Sequence, residues 1–227
     1  MTTAIRDAAT VILVRDPDDG PRVLMGQRGA GAAFLPSKFV FPGGAVDATD
    51  ADVPLACALA DRCAARIAED APAPGAHALA AAAIRELWEE TGLVLGASGS
   101  WPDAPPDWSG FAATGHRPSA RGLSFIFRAI TPPGRPRRFD ARFFLADAAR
   151  VAEDPDDFSH ASDELSLLQW IPLDEVRRFD LPFITKVVLA EVAARLPELG
   201  PPDSVPFFRN DDEEALFLRL GADPLSQ

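Results

Sequence analysis

Arg85-Glu86-Leu87-Trp88-Glu89-Glu90-Thr91-Gly92-Leu93 is the stretch on which the reading of this chain turns. On a helix each residue advances by about 100°. With Glu86 at zero, Glu89 falls at about −60° and Glu90 at about +40°, so three carboxylates share one face. Ala80, Ile84, Leu87 and Trp88 point the other way and offer a surface to bury against a sheet. Gly92 stands where a helix C-terminus takes a left-handed residue, and the spacing predicts a helix over His77 to Thr91. Three like charges on one face repel each other and weaken an isolated helix. A hard cation such as Mg²⁺ relieves that repulsion, since it prefers carboxylate oxygens and keeps waters for a phosphate-bearing substrate. Taken alone, three glutamates are more often a solvated acidic face. The surrounding residues decide otherwise.

The string resembles the second half of the Nudix box, G-x(5)-E-x(7)-R-E-U-x-E-E-x-G-U with U aliphatic. Arg85, Glu86, Leu87, Glu89, Glu90, Gly92 and Leu93 fill every fixed position from the arginine onward. Upstream, Phe41-Pro42-Gly43-Gly44 resembles the strand-end glycine turn at which such boxes begin. In the contiguous pattern the first glutamate falls at His77 and the glycine at Ala71, and neither fits. If Gly44 is the box glycine, residues 45–76 are an insertion, which costs little because loop-closure entropy grows slowly with length. The first glutamate then has no clear counterpart: Asp47 or His77 substitutes, or neither does.

The resemblance implies an α/β protein, an α/β/α sandwich on a mixed sheet, that splits a nucleoside diphosphate linked to another moiety by attack of water on phosphorus. It implies Glu86 and Glu90 as principal metal ligands, Glu89 completing the site, and the Gly43 carbonyl as a further ligand for Mg²⁺ or Mn²⁺. Arg85 would orient the glutamates. The cation would neutralise the diphosphate and activate the attacking water. A general base is sought in Ser159-His160-Ala161-Ser162-Asp163-Glu164, before a strand ending in Trp170-Ile171-Pro172-Leu173, with Glu164 first, then His160 and Asp163. Many members of the family are homodimers, but no interface is legible here.

A subgroup resemblance bears on substrate. Leu24-Met25-Gly26-Gln27-Arg28 through Phe41-Pro42-Gly43-Gly44 has the layout of the motif L-L-T-x-R-[SA]-x(3)-R-x(3)-G-x(3)-F-P-G-G of coenzyme A diphosphatases. Leu24, Arg28 and the terminal FPGG match, while Ala33 replaces the second arginine, Ser37 the glycine and Gly29 the small residue. The long insertion, and the run Arg138-Phe139-Asp140-Ala141-Arg142-Phe143-Phe144, resemble the acyl-coenzyme A diphosphatases. Arg28, Arg138 and Arg142 would then hold the 3′-phosphate or diphosphate of coenzyme A. The chain has no tyrosine, which removes the marker of dinucleoside polyphosphate hydrolases. Pro105 and Pro106 fall slightly short of the proline of ADP-ribose diphosphatases, so that substrate stays open. A Nudix-fold nucleotide-binding or regulatory module without catalysis is the alternative of another class.

The rest of the chain agrees with one domain over residues 1–227. Ala8 to Val14 and Arg22 to Arg28 flank turn chemistry at Asp16 to Gly20 and predict a hairpin. Lys38 to Phe41, Leu123 to Ile130, Arg138 to Ala146 and Glu164 to Ile171 predict further strands. Helices are expected over Pro54 to Ile67, Leu173 to Phe179 and Phe183 to Leu196, with a Pro/Gly break at Ala71 to Gly75 and irregular chain from Gly96 to Pro118. The tail, with Val205 to Phe208 and Leu216 to Leu220, should pack back on the domain.

At 227 residues and 47% hydrophobic the chain can build a real core. A net charge of −12 disfavours nucleic acid, though not a phosphorylated small molecule held by a metal. Absence of a long apolar run argues against membrane insertion, and absence of a basic start and cleavage site against a signal peptide, so a cytoplasmic protein is expected. Cys57 and Cys63, six apart, are read as packed or idle thiols.

Overall fold

The uncharged run Ala8 to Val14 suits a strand paired along both edges. It forms the centre of strand β1 (Ile5–Arg15). The computed structural model describes residues 3–70, 74–210 and 215–221. From β1 the Asp16 to Gly20 turn returns the chain as β2 (Arg22–Arg28), with Val14 opposite Val23. Two short strands follow, β3 (Phe39–Val40) and β4 (Gly43–Ala45), on either side of the Pro42 bend. Next come helices α1 (Asp61–Ala68) and α2 (Ala76–Thr91). A small hairpin, β5 (Gly96–Ser98) with β6 (His116–Pro118), encloses the short helix α3 (Ser109–Ala113). Then follow β7 (Ser124–Ile130), β8 (Arg138–Asp147), β9 (Leu165–Pro172), α4 (Phe183–Arg195), β10 (Val205–Asn210) and β11 (Ala215–Leu220).

Among the described residues, nine strands make one mixed sheet in the order β11-β10-β7-β8-β1-β2-β3, with β4 added to β1 and β9 to β2. On one edge β1 runs parallel to β8 from Ile5 opposite Arg138 to Val14 opposite Asp147. Its other edge is shared. The C-terminal end meets β2, while Ala8, Ala9 and Thr10 meet Ala45, Gly44 and Gly43 of β4. The glycine turn is thus clamped onto the central strand.

Alternation along β1 assigns the two faces. Ala9, Val11 and Leu13 pack with Leu79, Ile84 and Leu87 of α2, while Ile12 and Val14 pack with Val188, Leu189 and Val192 of α4. The result is the expected α/β/α sandwich on a mixed sheet. Among the described residues no helix is long and apolar enough to cross a membrane.

Several local expectations change. The helix predicted over Pro54 to Ile67 begins only at Asp61. Before it, Ala56 donates its N–H to Pro118 O at 2.8 Å and Cys57 O accepts from Ala120 N–H at 2.9 Å. Such tertiary hydrogen bonds override alanine's helix preference. Cys57 is therefore off the helix, and Cys63, buried on it, accepts the Phe125 N–H at 3.3 Å. Leu173 to Phe179 contains only a 3₁₀ turn at Val176–Arg178. The stretch Gly96 to Pro118 is ordered around buried Trp101, Trp108 and Phe111. The tail enters the sheet, as Phe207 pairs in parallel with Arg128 of β7. Of the Pro/Gly break, residues 71–73 lie outside the described residues.

Candidate metal and catalytic site

Helix α2 can lie close on the sheet because its first half is nearly all alanine, and Ala80, Ala81, Ala82 and Ala83 are fully buried. Small side chains of high helix propensity permit that approach without breaking the helix. The helix ends at Gly92, whose φ of 76° is left-handed and whose N–H bonds to Trp88 O at 2.8 Å. The carboxylate-bearing half therefore sits over β4 and the glycine turn.

The turn and the helix are bonded directly. Glu90 Oε2 accepts the Gly43 N–H at 2.7 Å. Glu90 is 1% exposed, and its Oε1 is buried with no hydrogen bond. Both glycines are required by close approach: a Cβ on Gly43 would lie 2.6 Å from Ala9 O, and one on Gly44 would run into the Glu86 carboxylate.

Arg85 organises the remaining acids. Its Nε and Nη2 donate to Asp50 Oδ1 and Oδ2, each at 3.0 Å. Nη2 also donates to Ala45 O at 3.0 Å, and Nη1 donates to Glu86 Oε1 at 2.9 Å and Glu89 Oε2 at 3.0 Å. All five N–H groups of the guanidinium are matched. Burial pulls the Arg85 pKa down, but Asp50, Glu86 and Glu89 outweigh it and hold the charge firmly.

Asp50 was not singled out by the sequence reading. Of the two proposed stand-ins for the first glutamate, Asp47 borders the cluster and His77 points away from it. Asp47 is a solvent-facing neighbour, 3.7 Å from Arg85 Nη2, and His77 Nε2 bonds to Val53 O at 2.7 Å. A signal for Asp50 existed: it follows Gly44 at the G-x(5)-E spacing.

Of the three candidate bases, Glu164 reaches the cluster. A register shift between Met25 and Gln27 puts Arg28 opposite Leu165. That places Arg28 beside Glu164, and Arg28 Nη2 donates to Glu164 Oε1 at 2.8 Å. Arg28 Nη1 lies 3.9 Å from Glu90 Oε1. His160 instead stacks on Trp88, with centroids 6.0 Å apart, and Asp163 is exposed.

Burial combined with crowding governs the charges. Burial pushes the Glu86 carboxyl up to about 7; Arg85 pulls it down, and Glu89 and Glu164 push it further up. Burial also raises Glu89, against Arg85. Glu90 is raised well above the usual carboxylate range by burial, against the Gly43 N–H. Glu86 and Glu164 add to that rise.

Arg138 and Arg142 do not join the site. Arg138 Nε and Nη2 donate to Thr131 O and Asn210 O, each at 3.0 Å. Arg142 is 1% exposed and bonds to Asp7 and to Asp140 O. Both are committed between strands, because an arginine on the inward face of a sheet must find its partners there. Arg28 is the one of the three expected substrate arginines that meets the carboxylates.

The donor set suits a hard divalent cation. Glu86, Glu89, Glu90 and Glu164 together with Asp47 and Asp50 face two guanidiniums, Arg28 and Arg85, leaving excess negative charge around an orphaned buried oxygen of Glu90. Among the described residues no three acidic, imidazole or thiol groups close into a ready-made cage. Arg85 and the Gly43 N–H hold these carboxylates in their present positions.

Comparison with known proteins gives a consistent outcome. No family profile matches the chain. A Caenorhabditis elegans protein with the provisional name nudix hydrolase 7 is 32% identical over 184 residues, which is 75% of this chain and 52% of that one. The chain thus spans about half the length of that curated relative. The crystal structure of a NUDIX hydrolase from Alicyclobacillus acidocaldarius superposes with a TM-score of 0.64 at 29% identity, covering 85% of this chain and 93% of that chain. The NUDIX domain of Shewanella oneidensis NrtR, solved with ADP ribose, matches at a TM-score of 0.50 and 15% identity over 85% of this chain and 89% of that one, a likeness of fold alone.

Proposed function

We propose that the chain is a Nudix hydrolase, a reading supported by its likeness to the Caenorhabditis elegans and Alicyclobacillus acidocaldarius proteins, and that it hydrolyses the diphosphate linkage of a nucleoside diphosphate joined to a second moiety. The observation that carries this reading is the buried, hydrogen-bond-free Oε1 of Glu90, held beside Glu86 and Glu164 by the glycine turn. In this reading Glu86 and Glu90, with Glu89 and the Gly43 carbonyl, hold Mg²⁺ or Mn²⁺. That cation, when bound, supplies charge neutralisation at the diphosphate and a more acidic water.

The chain's own residues do the rest. Arg85 bridges Glu86 and Glu89 through Nη1 and fixes both carboxylates on their helix face. Arg28 offers a fork of N–H donors to a phosphate oxygen pair. Glu164, more than half exposed and bonded to Arg28, accepts a proton from the attacking water. Engagement of substrate by Arg28 would release Glu164 for that step.

Coenzyme A or acyl-coenzyme A is the substrate we propose, supported by Leu24, Arg28 and FPGG at the spacing of the coenzyme A motif and by the interruption of the box. Since Arg138 and Arg142 are committed inside the sheet, this reading now rests on Arg28 for diphosphate contact. ADP-ribose, the ligand in the NrtR domain structure, is the competing substrate. The test is a panel of coenzyme A, acyl-coenzyme A, ADP-ribose, NADH and nucleoside triphosphates with Mg²⁺ or Mn²⁺, with Glu90→Gln as control. Cleavage of none returns the chain to the class of nucleotide-binding modules. Faster cleavage of ADP-ribose than of coenzyme A overturns the substrate assignment.

A further inference from the structure

We infer, resting on the reading of Glu164 as the base, that His160 is a positioning residue whose ring docks the 158–164 loop on the end of α2 and so sets where Glu164 stands. His160 is exposed, yet its ring lies over Trp88 with the two planes 29° apart. Offset stacking at their separation of 6.0 Å is favourable. Trp88 is a firm platform, because its ring meets Phe111 edge-on at 5.8 Å and Phe111 is fully buried against Trp108.

The backbone is attached at the same place. Ser162 donates its N–H to Glu89 O at 3.1 Å, filling one of the carbonyls that a helix leaves open in its last turn. Gly92 leaves room for the approach, since a Cβ there would lie 2.9 Å from His160 Cβ and 3.1 Å from His160 C. Ser162 Oγ in turn accepts the Glu164 N–H at 3.4 Å, and Glu164 Oε1 accepts from Arg28 Nη2 at 2.8 Å. The helix that carries Glu86, Glu89 and Glu90 therefore also carries the seat of the loop that presents Glu164. Trp88 stands about 200° around α2 from Glu86, so a ring stacked on it is turned away from the acids. His160 thus acts on the site through Glu164, not as a base in its own right.

Because His160 is exposed, it can be replaced without disturbing the core, and His160→Ala should keep the wild-type circular dichroism spectrum. Loss of the stack loosens the loop. Exchange of the Ser162 amide hydrogen in the metal-free chain should speed up about 10-fold. On a cleaved substrate kcat should fall about 10-fold with KM little changed, as a displaced base predicts. His160→Phe, which keeps a ring for Trp88 but has no proton to transfer, should restore both exchange and kcat. In a Glu164→Gln background His160→Ala should lower kcat no further, because the residue through which it acts is gone.

Wild-type exchange at Ser162 in His160→Ala overturns the inference, and so does faster exchange with kcat unchanged. His160→Phe that restores exchange but not kcat would make the imidazole itself the base. His160→Phe that restores neither would show that the stack is not the anchor. A further loss of kcat in the Glu164→Gln background would show that His160 acts by another route. Exchange is read with neither metal nor substrate, so the docking of the loop is decided even if no substrate is cleaved and the hydrolase reading fails.

Discussion

Glu90 and Gly43 are joined by one hydrogen bond, Oε2 accepting the glycine N–H at 2.7 Å, while Oε1 of the same carboxylate is buried without one. The bond orients the acid, and the vacant oxygen marks where a cation can be served. Glu90→Gln should preserve the fold, because an amide oxygen can still accept from Gly43. It should lower kcat by at least about 100-fold and abolish measurable Mn²⁺ binding. In EDTA its thermal midpoint should equal or exceed that of the wild type, since the amide replaces a carboxyl whose charged form burial disfavours. A variant that binds Mn²⁺ normally would exclude Glu90 as a ligand.

The raised pKa of Glu86, like those of Glu89 and Glu90, makes the metal-free chain less stable as the pH rises. For Glu86 the folded value is about 7 against an ordinary 4.5. Between these values the folded chain retains a proton that the unfolded chain has released, so raising the pH favours unfolding. From pH 5 to pH 8 the metal-free chain should lose up to about 3 kcal/mol through this group. Saturating Mg²⁺ should reduce or reverse that loss, because the cation binds the ionised form. Urea unfolding in EDTA at the two pH values measures it, and greater stability at pH 8 than at pH 5 would contradict the assignment.

Arg28 and Arg142 should separate cleanly. Arg28→Gln, which removes a partly exposed pairing with Glu164, should change stability by under about 1 kcal/mol but raise KM for coenzyme A by about 10-fold or more. Arg142→Met, which takes a buried cation from half-buried Asp7 and leaves Asp140 to Arg128 alone, should destabilise the fold by about 2 kcal/mol and leave KM unchanged. Denaturant unfolding and steady-state kinetics on both variants supply the comparison. A raised KM in Arg142→Met would return that residue to the substrate site.

Gly44→Ala would place a methyl group against the Glu86 carboxylate. The β4 pairing to β1 should hold, so Glu86 must yield. Activity is expected to fall by about 10-fold or more, with Mn²⁺ affinity falling alongside it. A crystal structure of the variant with Glu86 unmoved and activity intact would show the contact to be soft.

Much of this architecture was legible because its signals are local. Gly92 at a helix end, the Asp16 to Gly20 turn between two apolar runs, and three glutamates on one helical face each carry their meaning within a few residues. Asp50 escaped because its meaning depends on Arg85, far along the chain, and the interruption conceals the spacing between them. Arg138 and Arg142 were expected at the substrate because their run resembles that of the acyl-coenzyme A diphosphatases. A resemblance of sequence does not tell which face of the strand a side chain takes, and here Asp7 and Asp140 let the sheet bury Arg142. The helix expected from Pro54 failed where alanine-rich chain found backbone partners at Pro118 and Ala120.

The shared edge of β1 carries a consequence for motion on slow timescales. The glycine turn bonds to the strand that also runs ten residues alongside β8, and Glu90 is bonded to that turn. Local opening around the turn would have to strip the central strand of its partners. Amide hydrogens of residues 9–11 and 43–45 should therefore exchange with deuterium only through the rarest, whole-molecule openings, while those of the 158–164 loop exchange far sooner. The acids proposed to hold the cation would then keep one arrangement for as long as the protein stays folded, and Glu164 would supply the movement that turnover needs.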